Sequence, residues 1–493
     1  MMLSLATVLS LYAIIGLAIV LLTIIAKSHK TINALSIVLP ATYIVLVLYT
    51  SASDVLPNYL LGGNYFFMDH LGIYEVLISS VLFLLAALYA KSYIERSMEI
   101  GEMSPNNLKL FYVAFNLLLV VITYAFFSNN LALFWILAEL TTAFSAVLVV
   151  ILNAPKNIGA ALKYVFITST CMLFSFIGLI LIFTLTQSNL GAGTLNWSTL
   201  MVVAGTLSPG ILFASFIFTF VGFAAKSGIV PFHAWLPSAH SKAPAPVSAI
   251  LSGSITSVGI YGIIRMYAVV AQTSEFPKIS YFLIAFGVIS MIVAALTMLN
   301  QVNLKKLIGY STVENMGFLL VGLGLGTPVA VFWTLFYTLA HSFTKASLFF
   351  SAGILHHQFE SVRLDRIKDA LKLQPFGSWT LILGAVAIIG MPTSAIFLPK
   401  LSILLQAGVF SPYLLFGLLI VFLFATAAIG VFLIKMFSKR SEEGATALKR
   451  FNAPLSMKLP IIILLVAVFV LGVFFPQQLS DLLKAIVLEL GIR

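Results

Sequence analysis

Fourteen stretches of this chain run for about 20 residues or more with almost no charge, and nothing else constrains the fold as strongly. They lie at roughly 3–26, 33–51, 73–91, 109–127, 130–152, 159–186, 207–230, 244–271, 279–299, 303–325, 328–356, 377–408, 412–437 and 459–478. Backbone placed in hydrocarbon has no water to bond, so only helices and closed barrels can cross. A crossing helix needs about 20 apolar residues, whereas barrel strands alternate over about ten. The expected fold is therefore an all-α polytopic membrane protein with 14 transmembrane helices. Composition agrees: of 493 residues, 61% are hydrophobic and 9% charged, against about 25% charged in a soluble domain. The first run lacks a basic leader and a small-residue cleavage site, so it reads as a retained span. Cys171 is the single cysteine, which excludes a disulfide framework and a cysteine-ligated cluster.

The net charge of +11 would suit nucleic acid only if the bases formed one exposed patch. They fall instead between spans. Twenty of the 27 lysines and arginines sort to one side; Arg265, Lys278, Lys484 and Arg493 sort to the other, and Lys226, Lys345 and Lys400 lie inside spans. Basic loops stay in the cytoplasm, so the expected location is the cell (plasma) membrane, with both termini on the outer side. No loop is long enough for a soluble domain. Those at about 357–376 and 438–458 mix both charge signs and suit partner subunits or solvent. In the tail from Gln477 to Arg493, Leu479, Leu482, Leu483, Ile486, Val487 and Leu490 recur at helical spacing. That pattern predicts a short amphipathic helix on the outer surface.

Residues 221–266 contain the densest signal. Lys226 lies deep in an apolar run, and Pro231, Pro237, Pro244 and Pro246 follow before the next run opens near Val247. A lysine inside a span costs roughly 2.5–3.5 kcal/mol, and proline breaks the helix beside it. Lys400, directly after Pro399, repeats the pattern five runs later. An ionisable group beside a broken helix marks an ion path, and units of five spans must be inverted relative to each other. The expected organisation is helices 1–3 over 1–100, five-helix units over 105–272 and 279–437, and a last helix with the tail over 455–493.

Other intramembrane polar residues extend the set. Glu139 is about nine residues into its span, too deep for a glutamate to reach an interface. Glu314 is about eleven residues into its own. His341 and Lys345 are four apart, so they share a helix face. Lys163, His233, His240, His356 and His357 sit near span ends, where they serve equally well as interface anchors. Left unpaired, the charges of Glu139, Lys226, Lys345 and Lys400 would cost on the order of 10–14 kcal/mol, as much as a whole domain's stability. They must be paired and hydrated, which describes a proton wire, with Glu139 and Lys226 as the expected ion pair. No nucleotide loop, metal-ligand cluster or haem motif is present, and Gly322–Gly326 lies in a span. No cofactor is expected.

The segments AAKSGIVPFHAWLPSAHSKAPAPVSAIL and GIYGIIR resemble the signature of the proton-translocating antiporter-like subunits. That family serves complex I, the Mrp cation/proton antiporters, membrane-bound hydrogenases and the related sulfur-reducing (sulfane reductase) complexes. AALKYVFI (160–167), NLKKLIGYSTVENMG (303–317), AHSFTKASLFFSAG (340–353) and GMPTSAIFLPK (390–400) extend the likeness. ENMG, and a tail with no long lateral helix, look more like the hydrogenase and Mrp D types. The resemblance implies fourteen helices, inverted repeats at spans four to eight and nine to thirteen, and discontinuous helices 7 and 12. It places the transport residues at Glu139, Lys226, His341, Lys345 and Lys400, with Lys163 matching a lysine of some members. Where many members carry a connecting lysine in span eight, this chain has Ser257, with Thr256 beside it. Either water on these hydroxyls joins two half-channels, or the path is interrupted. Further membrane subunits and a cytoplasmic-side redox module are the implied partners, besides the lipid bilayer. The rivals are an Mrp-type sodium/proton antiporter component, a stand-alone solute transporter, and a structural subunit with a blocked path.

Overall fold

The computed structural model describes residues 4–51, 59–61, 64–152, 155–438 and 450–492. Of the basic residues sorted above, Lys439, Arg440, Lys449 and Arg493 lie outside the described residues. The chain begins with α1 (Leu5–Ile25), α2 (His29–Ser51) and, after a hairpin of β1 (Tyr59–Leu61) and β2 (Phe66–Met68), α3 (His70–Glu99). Next come α4 (Asn107–Phe126), α5 (Leu131–Val150), α6 (Pro155–Leu190), the short α7 (Trp197–Val203) and α8 (Pro209–Ser227). The proline-rich stretch forms α9 (Leu236–Lys242), α10 (Ala245–Ile250) and α11 (Thr256–Val270). The second half holds α12 (Phe276–Leu299), α13 (Leu304–Gly324), α14 (Pro328–Phe359), α15 (Ala370–Leu373), α16 (Pro375–Ile389), α17 (Phe397–Phe410) and α18 (Pro412–Phe437). α19 (Leu455–Val473) and α20 (Gln477–Glu489) close it.

This is a predominantly helical polytopic membrane protein. Among the described residues, eleven helical segments are long and apolar enough to cross a membrane. The elements that fall short are instructive. α13 and α14 carry Lys305, Lys306, Glu314, His341 and Lys345, which lower their hydropathy, and α16 and α17 are the short pieces of one broken run. The expected all-helical fold needs one correction, the antiparallel hairpin that pairs Tyr59 with Met68 and Leu61 with Phe66. It docks on the end of α4 through a Phe67 N–H to Phe127 O bond of 2.9 Å. Strands this short leave no alternation in the sequence.

Residues Ala245 to Val270 are buried throughout and form the centre, with α3 and α14 packed against them. α14 also meets α13, α16, α17 and α19. Both predicted breaks are present. α8 ends at Gly228 with φ of 74°, and α16 ends at Gly390 with φ of 91°, a left-handed conformation that glycine adopts without a Cβ penalty. The orphan carbonyls of the broken ends are met from within. Trp235 Nε1 donates to Ala225 O at 2.7 Å, and Lys400 Nζ donates to Ile388 O and Ile389 O at 3.0 and 3.2 Å. Irregular backbone survives at membrane depth only on such terms.

Helix ends sort into two faces. On one, Asp69 meets Arg265, Asn130 meets Asn196, and His70 meets Glu489. On the other, Glu102 meets His356, Lys305 meets Ala243, and Asn303 meets Arg363. The tail helix α20 forms as expected and is clamped to the first face. Glu489 Oε1 lies 2.5 Å from His70 Nδ1, and Oε2 accepts from the His70 N–H at 3.2 Å. Burial raises the Glu489 carboxyl above its ordinary value of 4.5, with Asp69 adding to the effect and His70 and Arg265 opposing it. The native state therefore holds this proton more tightly than the unfolded chain does. Docking of α20 is expected to be firmest at and below pH 4.5 and to loosen as pH rises through the raised value. Amide exchange over 477–489, corrected for intrinsic rates, should show protection falling in that direction.

Candidate functional site

Two lysine sites are built alike from helix faces. Lys226, in the last turn of α8, is fully buried. Its Nζ donates to Ala138 O at 2.6 Å and to Thr142 Oγ1 at 2.7 Å, both on α5. Lys345, also fully buried on α14, donates to Ile308 O at 3.0 Å and to Ser311 Oγ, both on α13. In each case a carbonyl and a hydroxyl about one turn apart on the facing helix receive the ammonium. A buried charge is tolerable only when its donors are met in this way.

The expected Glu139–Lys226 ion pair is corrected. Glu139 neighbours Ala138, and successive positions on a helix are about 100° apart. Ala138 and Thr142 therefore face Lys226 while Glu139 turns to α6, where it accepts from Ser169 Oγ at 2.8 Å. Its Oε1 is buried without a partner. Glu139 still acts on Lys226 through space.

Glu314, a secondary candidate by sequence, occupies the middle of the second cluster. It sits one turn beyond Ser311 on α13, fully buried, and interacts electrostatically with both Lys400 and Lys345. Oε2 accepts from Asn315 Nδ2 at 2.5 Å, and Oε1 has no partner. Asn315 in turn accepts from the Tyr337 hydroxyl. A cavity of ≈ 10 Å³ is lined by Ser311, Glu314, Ile388, Ile389, Lys400 and Phe422, about the room one water needs. Lys400 caps α16 at its negative dipole end and lies 4.3 Å from the Phe422 ring centre. His341 is buried one turn before Lys345, its Nε2 unpartnered and its ring parallel to Tyr337 at 6.5 Å. Lys345, Glu314, Lys400 and His341 thus form one cluster.

Hydroxyl residues lie between this cluster and Lys226, bonded partly through backbone carbonyls. Ser227 Oγ lies 3.3 Å from Thr256 O, and Thr256 Oγ1 donates to Ser252 O at 2.6 Å. Ser252 Oγ meets Thr312 Oγ1 at 2.8 Å, and Thr312 neighbours Ser311. Leu251–Ile255 is a π-helical turn, a rare widening that occurs mostly at functional sites. Both candidate hydroxyls in span eight bond back to the carbonyl four residues earlier, Thr256 Oγ1 to Ser252 O and Ser257 Oγ to Gly253 O at 2.9 Å. Thr256 is the one whose own carbonyl also meets Ser227 Oγ.

The remaining candidates lie toward the basic face. Lys163 is exposed and lines a cavity of ≈ 910 Å³ together with Lys242, Lys305, Lys306, Arg363, Glu102 and Glu360. His233 is partly buried near Tyr310, outside both lysine clusters. Sequence position misjudges several others. His240 is no interface anchor: it is fully buried, stacked on Phe349 at 4.5 Å, and neither ring nitrogen has a partner. Lys305, sorted with the loops, is buried and donates to Ala243 O at 3.0 Å. Arg265, also sorted with the loops, is buried against Asp69 at 2.6 Å and caged by Phe67, Trp197 and Tyr261. Glu75, on α3, is buried with Oε2 unpartnered. A proline-bracketed lysine announces itself in sequence, whereas these four carry no local signal.

The sequence profile of the family described as "NADH:quinone oxidoreductase/Mrp antiporter, TM" matches residues 128–426. The hydrogenase-4 component F homolog of Methylacidiphilum infernorum is 27% identical over 421 residues, covering 85% of this chain and 87% of that protein. The D-type Na(+)/H(+) antiporter subunit of Alkalihalophilus pseudofirmus is 27% identical over 66% of this chain, which spans 64% of the relative's length. A chain of the membrane-bound sulfane sulfur reductase, an archaeal respiratory membrane complex, superposes with a TM-score of 0.82 at 21% identity. The superposition covers 98% of this chain and 97% of that one. The profile match spans more than half the chain and includes Glu139, Lys226, Glu314, His341, Lys345 and Lys400, so this chain belongs to the NADH:quinone oxidoreductase/Mrp antiporter transmembrane family.

Proposed function

We propose that this chain is the ion-translocating, antiporter-like membrane subunit of a multisubunit respiratory complex related to complex I, of the hydrogenase or sulfur-reducing type. Protons move along the row from Lys226 through the span-eight hydroxyls to Lys345, Glu314 and Lys400. The chain itself carries out no redox step; energy comes from a redox module or an ion gradient supplied by its partners. The observation that carries this reading is the set of hydroxyl residues lying between two buried lysine sites. Ser252 and Thr312 meet directly through their hydroxyls, and Thr256 and Ser227 approach them through backbone carbonyls, so water bridges the remaining steps.

The organisation that goes with it is fourteen spans, with inverted repeats over 105–272 and 279–437. α13 and α14 bring the spans to thirteen, and α16 and α17 together form the fourteenth. Five spans separate Lys226 from Lys400, and five separate Glu139 from Glu314, so each repeat supplies one carboxylate and one lysine beside a break. Lys163 and Lys345 are related in the same way. The basic face is cytoplasmic, the termini are outside, and the membrane is the plasma membrane. The likeness to the hydrogenase-4 homolog extends over more of both chains than the likeness to the Na(+)/H(+) antiporter relative, which favours the redox-driven reading. A blocked path is disfavoured because Ser252 and Thr312, in direct hydroxyl contact, keep the interval between the two lysine sites polar.

Glu314→Gln tests the assignment. The amide keeps the shape and the Asn315 contact but cannot carry a proton. In vesicles containing the assembled complex, the variant should assemble normally and acidify or alkalinise the lumen about a hundredfold more slowly, the scale of a positioned proton-transfer group. Wild-type transport in this variant would remove Glu314 from the path.

A further inference from the structure

The loop after α3 and the end of α14 bring together three side chains that ion transport does not use. Glu102, His356 and His357 each offer a donor atom, and these atoms lie within 4.8 Å of one another. His356 Nε2 is 3.2 Å from Glu102 Oε1, while Glu102 Oε2 is buried without a partner. His357 is only 2% exposed, and its Nδ1 is also unpartnered. The other nitrogen of each ring is held from behind by α3. Tyr93 OH lies 3.4 Å from His356 Nδ1, and Ser97 Oγ lies 3.4 Å from His357 Nε2. The Tyr93 ring stacks on His357 at 4.3 Å.

Holding one imidazole nitrogen with an outer hydrogen bond fixes the tautomer and leaves the other nitrogen for a cation. Two imidazoles and one carboxylate, with a fourth position left to water, form a donor set for a zinc-like ion. Glu102 and His356 line the ≈ 910 Å³ cavity, through which water and ions can reach the site. Ligands roughly 2.0–2.2 Å from zinc stand roughly 3.3–3.6 Å apart. The Glu102–His356 pair, at 3.2 Å, is near that spacing, and the third donor atom lies within 4.8 Å of both. Lys305 and Arg96 act electrostatically on His357 and oppose a cation, so the Glu102 carboxylate is indispensable. We propose that Glu102, His356 and His357 bind one divalent transition-metal ion of the zinc class. Bound there, it ties the α3–α4 loop to the end of α14, the helix that carries His341 and Lys345.

The purified full chain, stripped with chelator and titrated with Zn(II) against a chromophoric competitor, tests this directly. The expected result is one Zn(II) per chain, with nitrogen and oxygen neighbours at about 2.0–2.1 Å by X-ray absorption. His357→Gln should weaken binding by about tenfold or more, a loss of at least about 1.4 kcal/mol. Glu102→Gln lies in a loop outside the helices and should do the same without disturbing the fold. Failure to retain zinc would overturn the proposal. So would equal affinity in the Glu102→Gln chain, because the metal would then sit elsewhere.

Discussion

Lys226→Ala in the assembled complex is expected to stop ion transport while the chain still folds and assembles. The magnitudes make this a clean experiment. Removing a charge from mid-span relieves roughly 2.5–3.5 kcal/mol of insertion cost. Against that, Ala138 O and Thr142 Oγ1 each lose their lysine donor, at about 1–3 kcal/mol apiece. The two effects nearly cancel, so thermal stability should change little. Transport should not survive, because among the described residues Lys226 is the buried amine bonded to α5 at the Glu139 end of the row, and the expected loss is about a hundredfold or more. Lys226→Arg should not rescue it. Guanidinium does not give up its proton. The readout is the ion gradient formed by reconstituted complex, with melting temperature as the control.

Arg265→Ala is expected to have the largest effect on stability. Arg265 is ion-paired to Asp69 at 2.6 Å, donates to Tyr261 OH at 2.5 Å and lies within 4.4–4.7 Å of three ring centres. Its backbone carbonyl also receives Trp197 Nε1 at 2.8 Å. This cage joins the hairpin, α3, α7 and α11. Removing one partner of a buried pair costs about 3–5 kcal/mol, mainly by leaving the other charge uncompensated. Asp69→Asn should therefore recover much of the loss in the double variant, since asparagine still caps α3 through the Gly72 N–H. Melting of the detergent-solubilised chain measures both changes. If the double variant were as unstable as the single one, aromatic packing around the guanidinium, and not its charge, would be what holds the cage together.

Much of the architecture can be read from the chain. The predicted run 412–437 coincides with α18, 328–356 with all but the end of α14, and 244–271 with α10 through α11. Both helix breaks fall where proline and glycine place them. This works because membrane spans obey a length rule that local composition reveals. The site is less legible, because a sequence shows which residues are charged but not which way a helix face turns. Glu139 and Lys226 look like a pair by sign and depth, yet Ala138 and Thr142 occupy the facing positions. Glu314 looks secondary in sequence because Lys345 and Lys400 reach it only through tertiary packing. Arg265 and Lys305 sort with the loops because they lie near span ends, and their partners, Asp69 and Ala243, are remote in sequence. The π-helical turn at Leu251–Ile255 has no sequence marker among ordinary serines and leucines.

If the two lysine clusters act as one path through the span-eight hydroxyls, breaking that row must uncouple them. The most direct test is the number of protons moved per catalytic turnover by complex carrying Ser252→Ala and Thr256→Val. These substitutions remove the Oγ contacts to Thr312 and to the Ser252 carbonyl while leaving every charged residue in place. Protons per turnover should fall with the complex intact and its partners still turning over. An unchanged ratio would mean that protons cross without this row, and a single path through the hydroxyls would be contradicted.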